Sequence, residues 1–354
     1  MAMWACTAQQ GNMKTASGLV QRKFQTEIDG KSTDLFRLTN TSGMEVCVTN
    51  YGGRIVSILV PDRKGIMRDV VLGFDNIAAY QKYSSNYGAT IGRYANRIAK
   101  GRFVLDGDTI QLDLNDKLGN NMHGGEPGWA YRVFDAVQKD PATLVLTYVS
   151  PDGESHFPGT VQVEVAYHLT DDNALDIAYT AVTDRPTVIN MTNHSFFNLS
   201  GKPSTAITDH IMWMAADSVM TIDSTVVPTG NFIAVQGTPD SVENDQIRYG
   251  LGYNHNWVLR SGDRDKPVAS LYSSVSGILL EILTDEPCMQ IYTGNYQDGT
   301  HIGKKRVAYP YRGAICLEPQ HAPDSPNHPT WPSVRLDPGQ LYTSHSQYRF
   351  SVAD

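Results

Sequence analysis

The chain has 354 residues, 41% of them hydrophobic, enough for two average domains or one large all-β domain with a sizeable core. A formal net charge of −8, a pI near 5.7 and the lack of any Lys/Arg run argue against nucleic acid as a partner. The longest apolar runs, such as Ile55 to Val60, are too short to span a bilayer, which leaves a small molecule or another protein as the partner.

Residues 1–23 read as a flexible N-terminal segment, small and polar from Thr7 to Gly18. Cys6 lies in Met-Trp-Ala-Cys, a small residue before a cysteine, as at a trimmed lipoprotein cleavage site. No apolar core of a signal peptide precedes it, so a cytoplasmic location is expected, with a periplasmic, Cys6-anchored form as the alternative. Cys47, Cys288 and Cys316 sit in apolar or alternating runs and read as buried free thiols.

From Phe24 onward short strands follow one another. Asp34–Asn40, Glu45–Asn50, Arg54–Val60 and Asp69–Gly73 are divided by Thr41-Ser42-Gly43, Tyr51-Gly52-Gly53 and Pro61-Asp62-Arg63-Lys64-Gly65. A brief helical turn is expected at Asn76–Lys82. Strands resume through Tyr131–Gln138 and Thr143–Ser150 to the long alternation Val161, Val163, Val165, Tyr167, Leu169. Asp171-Asp172-Asn173 turns the chain into Ala174–Val182, and later strands are expected at Ile207–Ala215, His255–Leu259, Ile278–Thr284 and Met289–Asn295. Roughly twenty short strands with no βαβ alternation, repeat or linker predict one large antiparallel β-sandwich over 24–354. Near the C-terminus, Ala314, Cys316 and Glu318 share one face of a strand that Pro319 should end, because proline cannot donate to the ladder.

Chemistry-bearing side chains concentrate in four segments: Gly92–Ile98, Asn120–Gly125, Thr192–Gly201 and the Glu318 stretch. In the second, Gly124 and Gly125 would let the backbone approach a ligand closely. No HxH, HExxH or paired Cys/His spacing suggests a metal site, no GxSxG elbow suggests a serine hydrolase, and no Walker pattern is present. Carboxylate plus imidazole remains, the minimum pair for acid–base work near neutral pH. Taken singly, His123 has a commoner structural role, a core role for His194 is about as common as a functional one, and Arg97 is more commonly a plain surface cation.

Taken together, the four segments resemble the aldose 1-epimerase (galactose mutarotase) family. Supporting marks in the same order are Asn50-Tyr51-Gly52-Gly53, Val71-Leu72-Gly73-Phe74, Ser150-Pro151-Asp152-Gly153-Glu154, Phe157-Pro158-Gly159 and Gln290-Ile291-Tyr292-Thr293-Gly294-Asn295. The resemblance covers nearly the whole chain from Phe24. It implies a large β-sandwich that interconverts the α and β anomers of free aldoses such as glucose and galactose, without cofactor or metal. By the same resemblance Glu318 is the base at the C1 hydroxyl and His194 the acid at the ring oxygen. Arg97, His123, Asn96 and Gln290 match sugar-binding positions. A monosaccharide is the implied partner, and a monomer or weak homodimer the expected assembly. Trp129, Phe197 and Trp257 are candidates to face the sugar's apolar side, core packing being their commoner use.

One departure stands out. The family's Gly-aromatic-Asp-His-Asn pattern appears here as Gly252-Tyr253-Asn254-His255-Asn256, so Asn254 replaces a sugar-binding carboxylate. An amide oxygen still accepts, but the charge is gone and the NH₂ only donates. A non-catalytic sugar-binding sandwich, and an epimerase for a different or phosphorylated sugar, are the competing readings. A glycosidase would need a second carboxylate that the sequence does not identify.

Overall fold

The computed structural model describes residues 13–83, 85–235, 252–260 and 265–353. Cys6, and the anchoring alternative with it, lies outside the described residues. Three sheets carry the architecture. An antiparallel eight-stranded sheet runs, in spatial order, through 135–140, 143–150, 161–169, 174–183, 342–352, 278–284, 269–273 and 210–214. A five-stranded sheet orders 228–234, 216–222, 254–259, 288–292 and 316–320, and a four-stranded sheet orders 35–39, 45–49, 54–61 and 67–69. One apolar core lies among them, taking Val163, Tyr167 and Ile177 from the first sheet, Met289, Ile291 and Leu317 from the second and Val46 and Ile58 from the third. Strand Val161–Leu169 alternates as its sequence predicts, with Val161, Val163, Val165, Tyr167 and Leu169 all buried.

The site depends on the same period-two rule in the five-stranded sheet. Trp257, Met289, Ile291 and Leu317 turn into the core, so Asn254, Asn256, Gln290 and Glu318 must leave by the other face. Gln290 stands directly opposite Glu318 on one neighbour and Asn256 on the other. A single register thus sets the polar floor of the cavity.

Several local expectations shift. The helix falls at Ile77–Tyr83, one residue from its predicted place, with the Asn76 side chain accepting from the Ala79 N–H. The strand predicted over Asp69–Gly73 runs instead over Met67–Asp69 and gives way to a lone bridge from Val71 to Phe197. Pro319 does not end its strand, which continues to Gln320; it lies on the sheet's last strand, where a missing N–H leaves no ladder partner wanting. Of the segment 1–23 expected to be flexible, residues 13–23 pack against the sandwich. Lys14 bridges Val20, Leu19 and Phe24 are buried, and the N–H groups of Ala16 and Ser17 donate to the Glu45 carboxylate. The leader is held by burial of Leu19 and Phe24 in an apolar cluster and by the Glu45 carboxylate contributed by a distant strand. Trp129, Phe197 and Trp257 all pack in the main core. Gly124 serves packing of chain on chain, since a Cβ there would sit 2.2 Å from the Gly92 carbonyl oxygen. Among the described residues no helix is long and apolar enough to cross a membrane.

Candidate active site

Glu318, His194, Arg97, His123, Asn96, Asn254 and Gln290 all line one cavity of about 270 Å³. The five-stranded sheet supplies Asn254, Gln290 and Glu318. The remaining members arrive on short segments folded over it: Arg97 at the start of a two-residue strand paired with Asn121–Met122, and His194 at the end of Thr192–His194, paired with Ala89–Ile91.

Glu318 is the deepest group. Its carboxyl is 2% exposed, and burial in a site with no fixed cation against it pushes its pKa up to about 8. His194 Nε2 lies 3.7 Å from Glu318 Oε2, beyond a hydrogen bond but close enough for one atom group to be inserted alongside both. Burial, the largest cause, lowers His194 to about 4; the Arg54 charge adds to that, and a backbone hydrogen bond opposes it. Glu318 Oε2 and His194 Nδ1 are both buried without a partner in the protein. A buried polar atom left open costs about 1–3 kcal/mol, so Glu318 Oε2, which faces His194 Nε2, is poised for a ligand. Phe196 stacks on the His194 ring at 4.9 Å with an interplanar angle of 11°, which fixes the imidazole plane.

Asn96 and His123 hold each other in place. Both have left-handed backbone, with φ of 62° and 52°. The His123 N–H donates to the Asn96 carbonyl at 2.9 Å, and the Asn96 N–H donates to His123 Nδ1 at 3.2 Å. With Nδ1 accepting, the proton of a neutral ring sits on Nε2. The ring stays neutral because burial, reinforced by His194 and Arg97, drives its pKa well below the ordinary value. Its face meets His194 edge-on at 5.3 Å. Arg97 donates through Nε to Asp116 at 2.6 Å, both side chains being nearly buried. The guanidinium is thereby anchored at one end, leaving its terminal nitrogens for the cavity it lines. Although burial alone would raise Asp116, the Arg97 and Leu118 hydrogen bonds hold it below its usual value. The side-chain amides of Asn254 and Gln290 meet at 3.0 Å; with its amide turned about, Gln290 also reaches the backbone N–H and C=O of His255 at 3.2 Å.

Residues beyond those predicted complete the walls. Tyr87, Phe196, Tyr292, Tyr296, Gln297 and His301 line the cavity. One had a usable signal, because Tyr292 lies two residues past Gln290 and shares its strand face. Asp116 sits in a loop with Asp113 and Asn115, and nothing in the sequence distinguishes it from them. Arg54 acts from outside the cavity: fully buried, it donates to the carbonyls of Ser85, Tyr87 and Ala130 and so holds the wall segment 85–87. Arg93 is placed elsewhere. Its guanidinium bonds Pro158 O, Gly159 O and Ser150 Oγ, tying loops together away from the cavity.

Fold and site together define a large β-sandwich with an acid–base cavity whose described lining includes one carboxylate, Glu318. The aldose 1-epimerase family model matches residues 34–349. The chain is 38% identical over 335 residues to galactose mutarotase of Rattus norvegicus, covering 92% of this chain and 96% of that one. It is 35% identical over 338 residues to aldose 1-epimerase of Escherichia coli K12, with coverage of 91% and 96%. Among solved structures, a GalM/aldose epimerase homologue from C. elegans superposes with a TM-score of 0.85 at 28% identity, covering 91% of this chain and all of that one. Galactose 1-epimerase from Lactobacillus acidophilus gives 0.79 at 27% identity, with coverage of 93% and 98%. The chain belongs to the aldose 1-epimerase family.

Proposed function

We propose that this protein interconverts the α and β anomers of free aldohexoses of the glucose and galactose type, with Glu318 as base and His194 as acid. The observation that carries the assignment of roles is the 3.7 Å approach of these two groups at the base of the cavity. Anomerisation needs a base at the C1 hydroxyl and an acid at the ring oxygen, which are two atoms on one carbon. Glu318 takes the hydroxyl proton as the C1–ring-oxygen bond breaks, and His194 gives its proton to the departing oxygen. Rotation about C1–C2 then offers the other face of the aldehyde, and closure returns both protons along the same routes. Arg97, with its charge, and the Nε2–H of His123 supply donors to the sugar's oxygens; Asn96, Asn254 and Gln290 fix its remaining hydroxyls.

Proton count is consistent with these roles. Before sugar binds, the pair holds one proton at neutral pH, carried by Glu318 because burial disfavours both charged forms. A carboxylate beside an imidazolium holds the same number. Sugar binding therefore relocates one proton between adjacent groups and takes none from solvent. Each acid or base typically contributes about 10²–10⁴-fold.

Among the described residues lining the cavity Glu318 is the one carboxylate and Arg97 the one Arg or Lys. This favours a free sugar over a phosphorylated one and speaks against glycoside hydrolysis, which normally uses two carboxylates. Polarimetry of freshly dissolved α-glucose and α-galactose in weak buffer tests the proposal. Acceleration abolished by Glu318→Gln is expected; no acceleration for any common aldose overturns it. Action in the cytoplasm is part of the same reading, supported by three buried free thiols. Recovery of the native protein in the membrane fraction, released by a Cys6 substitution, would favour the anchored form.

A further inference from the structure

Beneath the acid–base pair lies a thiol that the proposed reaction does not use. Cys316 and Glu318 are two residues apart on one strand and leave it by the same face, while His194 comes from a segment packed alongside. One ligand atom from each, the Cys316 sulfur, a Glu318 oxygen and a His194 nitrogen, lie within 4.8 Å of one another, and all three residues are buried. The unpartnered, buried Oε2 of Glu318, which faces His194 Nε2, provides a second, independent sign of a place built open.

We propose that Cys316, Glu318 and His194 form a binding site for a thiophilic divalent cation of the zinc class, and that the bound ion inhibits the enzyme by occupying the position of the sugar's reacting edge. Nitrogen, sulfur and carboxylate oxygen are the three donor types that zinc takes in proteins. Bonds of about 2.0–2.3 Å to a tetrahedral centre require ligand atoms about 3.3–3.8 Å apart, so the trio closes on an ion by small side-chain rotations. Thiol and carboxyl release their protons to solvent as the Zn–S and Zn–O bonds form, and imidazole binds neutral. A dication with two anionic ligands is then neutral overall, which suits a buried location. The fourth position opens toward the cavity that Glu318 and His194 line, where water or a sugar hydroxyl would complete the shell. Magnesium, which seeks octahedral oxygen ligands, finds one carboxylate here and is not retained. Only the inhibition, not the binding, rests on the function proposed above.

Two readouts on tag-free protein test the site. Cobalt(II), a spectroscopic stand-in for zinc, should give a thiolate-to-metal charge-transfer band that Cys316→Ser and Cys316→Ala lose and that Cys47→Ser and Cys288→Ser retain. Galactose should displace that band from the unaltered protein, which keeps the test decisive even if a Cys316 variant fails to fold. In polarimetry, Zn²⁺ should inhibit competitively with sugar, Mg²⁺ should not, and Cys316→Ser should weaken the Zn²⁺ effect by about ten-fold or more while leaving metal-free activity unchanged. Absence of the cobalt band, or its persistence in both Cys316 variants, overturns the proposal, as does undiminished zinc inhibition in Cys316→Ser. A Cys316-dependent cobalt band in a protein that anomerises no aldose would support the metal site and sink the proposed function instead.

Discussion

Glu318→Gln should cost the protein its turnover and at the same time make it more stable, by an amount that depends on pH. In the unfolded chain this carboxyl ionises near 4.5, and in the folded protein burial delays ionisation to about 8. Between those values the folded state keeps a proton that the unfolded state has released, so the contribution of Glu318 to stability is intact below about pH 4.5 and declines as pH rises toward 8. At about pH 7 the difference amounts to roughly 3 kcal/mol, and it levels off above pH 8 at roughly 5 kcal/mol. Glutamine has nearly the same shape and no proton to lose. The variant should therefore match the unaltered protein near pH 4.5 and exceed it by about 3 kcal/mol near pH 7. His194 carries its own pH dependence, of opposite sense: lowered to about 4, it loses stability as pH falls from 6.5 through 4. Both proteins contain it, so it cancels to first order in the difference. Urea unfolding of the two proteins at several pH values between about 4.5 and 8.5 measures the quantity directly. A difference that does not change with pH, or a variant less stable than the parent at about pH 8, would show that the carboxyl is not held neutral by burial and would remove the proton count proposed for the resting site.

The same pair sets the pH profile. After subtraction of the uncatalysed rate, kcat/KM should fall below about pH 4, where both groups are protonated, and above about pH 8, where the shared proton is lost; a profile flat to pH 10 would refute a shared proton. Asn254→Asp should restore a charged acceptor and lower KM by about five-fold, the equivalent of about 1 kcal/mol, with kcat little altered; a change confined to kcat would remove position 254 from binding. Asp116→Asn should raise KM by freeing Arg97, and an unchanged KM with reduced stability would leave Asp116 a purely structural partner. Arg54→Met leaves the carbonyls of Ser85, Tyr87 and Ala130 without their donor and should cost on the order of 3 kcal/mol in stability. It also removes a charge that lowers His194, so the acid limb of the pH profile should move to higher pH; an unmoved limb would exclude that electrostatic link.

What could be read from the sequence followed from strict periodicity. The strands 161–169 and 174–183 and the shared face of Cys316 and Glu318 rest on alternation, which one residue of slip would reverse, whereas the thiols at 47, 288 and 316 lie in runs buried on both faces. Contacts set by tertiary folding had no such signature. Asp116 reaches Arg97 through a loop of irregular backbone, and Arg54 finds its three carbonyls on segments 31 to 76 residues away. The strand runs past Pro319 because the effect of a missing N–H depends on whether a neighbour is waiting for it, and on an edge strand none is. The packing of residues 13–23 has no local signature for a similar reason: the Glu45 carboxylate and the apolar cluster that take it up belong to distant segments.

The arrangement also explains why the site can keep a carboxyl neutral without fraying. Glu318 is footed on a strand whose alternate residue, Leu317, is locked into the main core, and its cross-strand partner Gln290 is flanked by Met289 and Ile291 in that same core. Burial of the acid is thus enforced by the hydrophobic face of its own sheet, and any movement that exposed Glu318 to water would have to withdraw apolar side chains worth about 1.5–3 kcal/mol each. The covering residues are different in kind. His123 and Asn96 sit on left-handed backbone and hold one another through two hydrogen bonds, and His194 is held by a stacked phenyl ring. Rigid sheet below and hydrogen-bonded segments above divide the work: the sheet sets the proton affinity of the base, while the cover sets the orientation of the acid and the donors. Substitutions in the cover should therefore alter sugar affinity and rate at nearly constant fold stability, whereas substitutions at Leu317 or Ile291 should lower stability first and reach activity through Glu318.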